Sequence, residues 1–200
     1  MTARRARFPP GRRARRSSLN PIAQATLSYA VDDHDRLVRV DDGFYAFATE
    51  NGWDGAGSSL GRSLWDFVAG QELEKLQRML LRRVRTNLGS VDLPFRCDGP
   101  TVRREMDIRI ASQAAGRFVV FSARLRAEDR RDEFQPLLAA ETPRGEETLT
   151  MCGWCDRFLV DGQWVEVEEA VARLGLFQLP EMPAISHGVC PTCTEMLMAA

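Results

Sequence analysis

Two Cys-x-x-Cys pairs near the end of the chain constrain its folding more than any other feature. The first is Cys152-Gly-Trp-Cys155 and the second is Cys190-Pro-Thr-Cys193, with 34 residues between them. Each such turn places two thiolates on one side of a short loop, and two loops complete a tetrahedral shell of four sulfurs. The four cysteines therefore predict a zinc site. Its role is expected to be structural, because four sulfurs leave no position open for a substrate.

His187 is the one further residue near these cysteines that bears on the metal shell. It lies three residues before Cys190, close enough to hydrogen-bond a cysteine sulfur and orient it, which is the role we expect. The same proximity leaves open that His187 replaces one cysteine as a ligand. A redox dithiol is the other open interpretation, because one pair alone could cycle, although two pairs at this separation favour metal.

Residues 27–126 have the alternation and periodicity of one α+β domain. Apolar residues recur every three or four positions in the stretch from 71 to 88, which predicts an amphipathic helix. Alternating residues on both sides of the tight-turn pair Asp98-Gly99 predict two half-buried strands. Cys97 lies on the apolar face of the first of these and is expected in the core. The full prediction is a hairpin over 27–40, short helices over 42–51 and 60–68, a long helix over 71–88, and strands over 91–97, 102–110 and 117–125.

This order of elements resembles the PAS sensor domain over about residues 27–126. The segment Gly61-Arg62-Ser63-Leu64-Trp65-Asp66-Phe67 is similar to the stretch between the short helices and the long helix of that family. The position of Asn51 at the end of the first short helix is similar as well. The resemblance implies a five-stranded antiparallel sheet with helices on one face.

The resemblance also raises the question of an internal ligand. Haem usually requires an axial histidine on the long helix, and residues 71–88 contain none. The Asn-Cys-Arg-Phe segment typical of photoreactive flavin domains is absent. Haem and photoreactive flavin are therefore not expected. Two alternatives remain: the cavity takes an uncharged small molecule between apolar walls, or side chains fill it and the domain serves protein contact.

The sequence from residue 127 onward predicts a linker followed by a small zinc-ribbon-like module. Residues 127–148 are charged and contain two prolines, which favours a linker, and residues 149–200 form the module. Within it, 158–167 predicts a hairpin and 168–174 a short helix. The paired cysteines, Gly-Gln-Trp164 and the closing Ser-His-Gly-Val-Cys-Pro-Thr-Cys run are similar to a cysteine-rich tail that ends many bacterial PAS-containing regulators. That resemblance implies a signalling context.

The charge distribution separates an N-terminal arm from the rest of the chain. Residues 1–16 contain seven arginines and no acid, whereas the remaining chain has 20 basic and 28 acidic residues, a net charge of −8. Because an acidic body repels a phosphate backbone, nucleic-acid binding would depend on the arm alone. Residues 1–20 have too few apolar groups to offset chain entropy and are expected to be disordered. No apolar run is long enough to span a membrane, so we expect a cytoplasmic protein.

The sequence favours a regulatory protein over an enzyme. It contains no Gly-x-Ser-x-Gly, P-loop or His-Glu-x-x-His motif. The first hypothesis is a bacterial signal-transduction protein that acts by contact with another signalling protein or with a second copy. The alternatives are a small nucleic-acid-binding regulator that uses the arm and the zinc module, and a thiol-redox sensor that loses zinc on oxidation.

The outer face of the predicted sheet is the expected contact surface. The last strand contains Phe118-Val119-Val120-Phe121, so one Phe-Val pair must emerge on that face. An exposed apolar stripe of this kind is seldom left bare. The alternative is that residues 127–150 fold back over the stripe. The charged residues expected beside it are Arg103, Glu105, Asp107 and Arg109.

Overall fold

The structure is a computed structural model that describes residues 26–200. The arginine-rich arm over 1–20, which the sequence predicts to be disordered, lies outside these residues. The sheet domain is defined here as residues 26–130 and the C-terminal module as residues 136–200. The sheet domain contains β1 (Thr26–Val31), β2 (Leu37–Val40), α1 (Asp42–Glu50), 3-10 turns at Asp54–Ser58 and Leu64–Phe67, α2 (Gln71–Asn87), β3 (Ser90–Arg96), β4 (Val102–Gln113) and β5 (Phe118–Arg130).

The five strands form one antiparallel sheet in the order β2-β1-β5-β4-β3. The α+β class and the five-stranded antiparallel sheet predicted from the sequence are confirmed. Helix α2 packs against the inner face, where Leu80 and Leu81 are almost completely buried with Met106 and Ile110. The apolar stripe of α2 that the sequence shows is thus the stripe that contacts the sheet.

The predicted linker over 127–148 is largely structured. Its first four residues continue β5 to Arg130, because Val102 to Glu105 on β4 remain available as pairing partners. Its last five residues, from Arg144 onward, begin a strand of the C-terminal module. Charged side chains tolerate this extension because an antiparallel hairpin can face water. The irregular connection is therefore shorter than the composition indicates.

The C-terminal module has a four-stranded sheet of its own in the order β8-β7-β6-β9. The predicted hairpin is present as β7 and β8, whose turn residues Asp161 and Gly162 both have positive φ. The predicted short helix is present as α3. Strand β9 pairs with β6 in parallel, a long-range pairing that the local pattern did not predict. The elements are β6 (Arg144–Cys152), β7 (Phe158–Val160), β8 (Gln163–Val165), α3 (Val167–Arg173), β9 (Met182–Gly188) and α4 (Pro191–Ala199).

The outer sheet face differs from the predicted apolar stripe. Val119 and Phe121 point inward, where Phe121 stacks on Tyr29 with ring centroids 4.6 Å apart. Val120 points outward, yet it is only 8% exposed because it lies on the central strand, in register between Ala30 and Ala111. Of the four residues Phe118 to Phe121, only Phe118 is more than slightly exposed, and it is half-buried.

The alternative that residues 127–150 fold back over this face is also wrong for the residues that form strands. Residues 127–130 belong to β5, and residues 144–152 form β6 of the second sheet. Arg103, expected among the outer charges, instead pairs with Glu166 and Glu168 of the C-terminal module. The module reaches Arg103 because it wraps around the β3 edge of the sheet.

Candidate metal centre

The four cysteines of the two Cys-x-x-Cys pairs come together in the structure. Their Sγ atoms all lie within 4.8 Å of one another. Cys152 ends β6, Cys155 follows it in a turn, and Cys190 is the N-cap of α4, whose first turn contains Cys193. Four sulfurs at this separation could bind a metal ion.

Backbone amides support the thiolate form of these sulfurs. The amide of Cys190 donates to Cys152 Sγ at 3.4 Å, and the amide of Cys193 donates to Cys190 Sγ at 3.5 Å. Cys155 Sγ lies 3.8 Å from Cys190 Sγ. Amide donors of this kind favour an anionic sulfur, which is the form that ligates metal.

The cysteines also perturb one another. Hydrogen bonds from Cys155 and Cys193 lower the pKa of Cys152 far below its usual range. The neighbouring Cys152 sulfur in turn raises the pKa of Cys155 to about 12 and that of Cys193 further still. The cluster therefore loses its first thiol proton easily, whereas loss of a second or third proton is opposed. A bound divalent cation would remove that opposition, so the donor set fits a metal ion.

His187 is not among the four residues whose ligand atoms cluster, and its role at a metal ion stays a prediction. The metal-binding group found in residues 26–200 contains only the four cysteines, and the imidazole makes no hydrogen bond to a cysteine sulfur there. Its side chain instead lines a cavity between the module and the sheet domain. The parallel strand β9 determines this position, because His187 pairs with Met151 and not with a cysteine.

The first cysteine loop is attached to the edge of the five-stranded sheet. Trp154 lies between Cys152 and Cys155 and is 6% exposed. Its indole Nε1 donates to the Pro94 carbonyl at 2.7 Å, and its own carbonyl accepts from the Arg96 amide at 3.0 Å. Strand β3 is an edge strand, whose unpaired backbone groups are satisfied in this way.

Two glycines allow the module to approach helix α2 closely. A Cβ on Gly70, the N-cap of α2 with φ of +92°, would lie 2.6 Å from the His187 carbonyl oxygen. A Cβ on Gly153 would lie 2.8 Å from a methyl carbon of Leu73. Since real contacts are not that short, a side chain at position 70 would displace the backbone of the module, whereas one at position 153 would displace only the end of the Leu73 side chain.

Ion pairs also connect the sheet domain with the C-terminal module. Asp98 of the sheet domain and Arg131, the residue that follows β5, pair at 2.5 Å, and their side chains are 0% and 2% exposed. Arg131 also contacts Glu168 of the module, and Arg96 pairs with Glu166 at 2.5 Å. Although burial acts in the opposite direction, Arg96 and Arg157 lower the pKa of Glu166.

Asp156 belongs to the same junction. Its Oδ2 accepts a hydrogen bond from the Asp98 amide at 2.8 Å, and burial raises its pKa to about 7. Sequence analysis identified neither Asp156 nor Trp154 as a site residue. The only available signal was their position beside Cys155, within the turn that the metal would organise.

Cys97 has the role that the sequence predicts. It packs against the main core and lies outside the group of four cysteines. Burial raises the pKa of its thiol to about 11, which makes it a poor ligand and a poor nucleophile.

Comparison with known proteins adds little to this description. No protein-family model matches the chain, and no curated protein matches it. Among solved structures, a sensory box sensor histidine kinase from Vibrio cholerae is 13% identical, with 49% of this chain and 79% of that chain covered and a TM-score of 0.32. A TM-score this low carries no argument about function. No helix in residues 26–200 is long and apolar enough to cross a membrane.

Proposed function

We propose that this chain is a bacterial signal-transduction protein of the cytoplasm, with a PAS-like domain and a zinc-stabilised tail. It is not an enzyme and acts by contact with another signalling protein or with a second copy. One observation carries the proposal: the cysteine cluster lies in the same hydrophobic core as the five-stranded sheet. A metal centre placed there supports a domain surface, since four sulfurs leave no coordination position for chemistry.

Zinc is the metal that best fits these ligands. Thiolates are soft donors, and Zn²⁺ accepts four of them in a tetrahedral shell at about 2.3 Å. Three of the cysteines are almost completely buried and Cys155 is half-buried, which suits a closed site. Protein purified without added metal should contain one zinc per chain by native mass spectrometry and elemental analysis. Protein that stays folded and metal-free would contradict the assignment.

The outer face of the five-stranded sheet is the proposed contact surface. The C-terminal module packs on the inner side and around the β3 edge, and it leaves the charged part of the outer face on β3, β4 and β5 exposed. Three cross-strand ion pairs lie there, with arginines that are 53% to 56% exposed; they are Arg109–Asp92, Arg124–Asp107 and Arg126–Glu105. A surface of mixed charge predicts contacts that weaken as salt increases.

A photo-crosslinking amino acid at position 118 tests this surface in cells. Phe118 is on the outer face, and Leu174, which is 39% exposed on the C-terminal module, provides the control position. We expect crosslinks to one defined protein, or to a second copy of this chain, from position 118 and not from position 174. Equal crosslinking from both positions, or none from position 118, would contradict the outer face as the contact.

A thiol-redox sensor is the second candidate, and one observation favours it. Cys155 and Cys193 line a surface cavity of about 200 Å³, which gives a small oxidant access to the sulfurs. Hydrogen peroxide would oxidise two cysteine thiolates to one disulfide, with release of the metal and reduction of the peroxide to water. Zinc release in step with the loss of two thiols, reversed by dithiothreitol and zinc, would support it. Unchanged zinc and thiol content at millimolar peroxide would exclude it.

A further inference from the structure

We propose that a cavity between the sheet domain and the C-terminal module binds a small organic cation with an aromatic or apolar body. The cavity has a volume of about 390 Å³, within the usual range for small-molecule sites. The sheet domain supplies its aromatic wall, and the module supplies Met151, Gly153, Asp156 and His187. The site goes beyond the regulatory role proposed above and depends neither on that role nor on the identity of the metal.

Four aromatic side chains form one continuous wall. Tyr29, Phe44, Trp53 and Phe67 contact one another in sequence, edge to face, with centroids 5.9, 5.8 and 5.7 Å apart. All four line the cavity. Aromatic rings attract a cation over their faces through the negative charge of the π system, and several rings together form the walls that hold ammonium groups. The wall therefore favours a positively charged guest over an anion.

The charge on the opposite side agrees with this preference. Among the described residues that line the cavity, Asp156 is the one carboxylate, none is an arginine or lysine, and the other side chains with polar groups are Tyr29, Trp53, Gln77 and His187. Burial lowers the pKa of His187, which keeps the imidazole neutral. Within residues 26–200, no arginine, lysine or histidine nitrogen lies within 4.0 Å of the Asp156 carboxylate, whose one hydrogen bond is to a backbone amide. Shielded carboxylates are usually paired, so a cationic group of a ligand would complete this one.

One feature of the cavity favours the opposite charge. The N-terminus of α2 borders it at Ala69, the residue before the N-cap, and the first amides of a helix carry a partial positive charge. That partial charge is spread over one turn, whereas Asp156 offers a full charge at one point. The two influences predict opposite ligand preferences, so probes of matched shape distinguish them.

Calorimetric titration of the full chain with its metal bound is the decisive measurement. The probes are 2-phenylethylammonium, 2-phenylethanol and 3-phenylpropanoate, which share one aromatic body and carry positive, zero and negative charge. At a pH of about 8 the amine of 2-phenylethylammonium is positively charged, and the ammonium should bind about tenfold tighter than the alcohol. Equal affinity for all three, tighter binding of the propanoate, or no binding at millimolar concentration would overturn the proposal.

Two pairs of variants locate the binding. Asp156→Asn should abolish the preference for the ammonium over the alcohol, whereas Asp161→Asn, in the exposed β7–β8 turn, should keep it. Trp53→Leu should weaken ammonium binding about tenfold, while Phe177→Leu, at a 55% exposed ring outside the cavity, should not. A charge preference that survives both Asp156→Asn and Trp53→Leu would place the binding elsewhere. Metal content measured in every sample separates failure of this site from failure of the zinc assignment.

Discussion

The two ends of the C-terminal module belong to different hydrophobic cores. Its cysteine end, with Trp154, Val189 and Leu197, is part of the main core formed by α2 and the five-stranded sheet. Its other end has a separate core, which includes Leu137, Leu149, Phe158, Val165 and Leu176. The cysteine cluster is therefore part of the sheet domain's own core, although the sequence places it in an appendage.

Loss of a cysteine ligand is expected to have the largest effect. The sequence alone suggests that residues 27–126 stay folded when Cys152→Ser or Cys193→Ser removes the metal, but the shared core predicts otherwise. Because metal binding and folding are coupled, we expect no bound zinc and a melting temperature lower by at least about 10 °C. Hydrogen exchange in β4 and β5 should accelerate together with that of the cysteine loops.

Cys97→Ser is the matched control for the cysteine variants. Cys97 lies in the main core but outside the metal-binding group. This variant should keep its zinc and lose only a small part of its stability. If β4 and β5 keep their protection in metal-free Cys152→Ser, the two parts fold independently and the shared core does not couple them.

Two leucines of the C-terminal module provide a like-for-like test of the two cores. Leu197 in α4 is fully buried in the main core, and Leu176 is 2% exposed in the separate core. Truncation of either to alanine should cost about 2–5 kcal/mol of unfolding free energy. Leu197→Ala should weaken zinc retention and sheet protection, whereas Leu176→Ala should loosen mainly α3 and the β7–β8 hairpin. Identical exchange patterns in the two variants would show that the cores unfold as one.

Gly70→Ala tests the close packing of the module on α2. The new Cβ would meet the His187 carbonyl oxygen at 2.6 Å, and the residue must keep a positive φ. Gly61→Ala is the control, because Gly61 has φ of +79° with no atom within 4 Å of its Cβ position. Each variant should lose about 1–2 kcal/mol to backbone strain, and Gly70→Ala about 1–3 kcal/mol more through overpacking. Equal denaturant midpoints would contradict the tight interface.

Trp154→Phe should have the smallest effect of the series. The variant keeps an aromatic ring beside Phe95, whose ring centroid lies 6.1 Å from that of Trp154. It removes the hydrogen bond from the indole to the Pro94 carbonyl. We expect a loss of about 0.5–1.5 kcal/mol, measured by chemical denaturation, with one metal retained per chain. A loss of metal in this variant would show that the indole hydrogen bond holds the first cysteine loop in its ligating position.

Local sequence patterns were sufficient for most individual elements. The periodicity of α2, the alternation of β3 and β4, and the Asp161-Gly162 turn each involve neighbours within a few residues, so a short window contains the information. The grouping of the four cysteines was predictable for a chemical reason, since paired thiolates at this spacing have few uses other than metal binding. The same patterns overestimated the linker, because charge and proline content do not reveal whether a pairing partner is available.

The sequence by itself determined which elements form and which side chains could bind a metal. Only the tertiary structure decided where the four cysteines lie relative to the sheet. The parallel pairing of β9 with β6 brings His187 beside Met151, where its side chain lines a cavity. Pairing of the first cysteine loop with the edge of β3 places Trp154 and Asp156 at the junction with the sheet domain. Such contacts join residues that are about 35 to 60 positions apart, and their free energy comes from burial and hydrogen bonds across the fold, which no local pattern encodes.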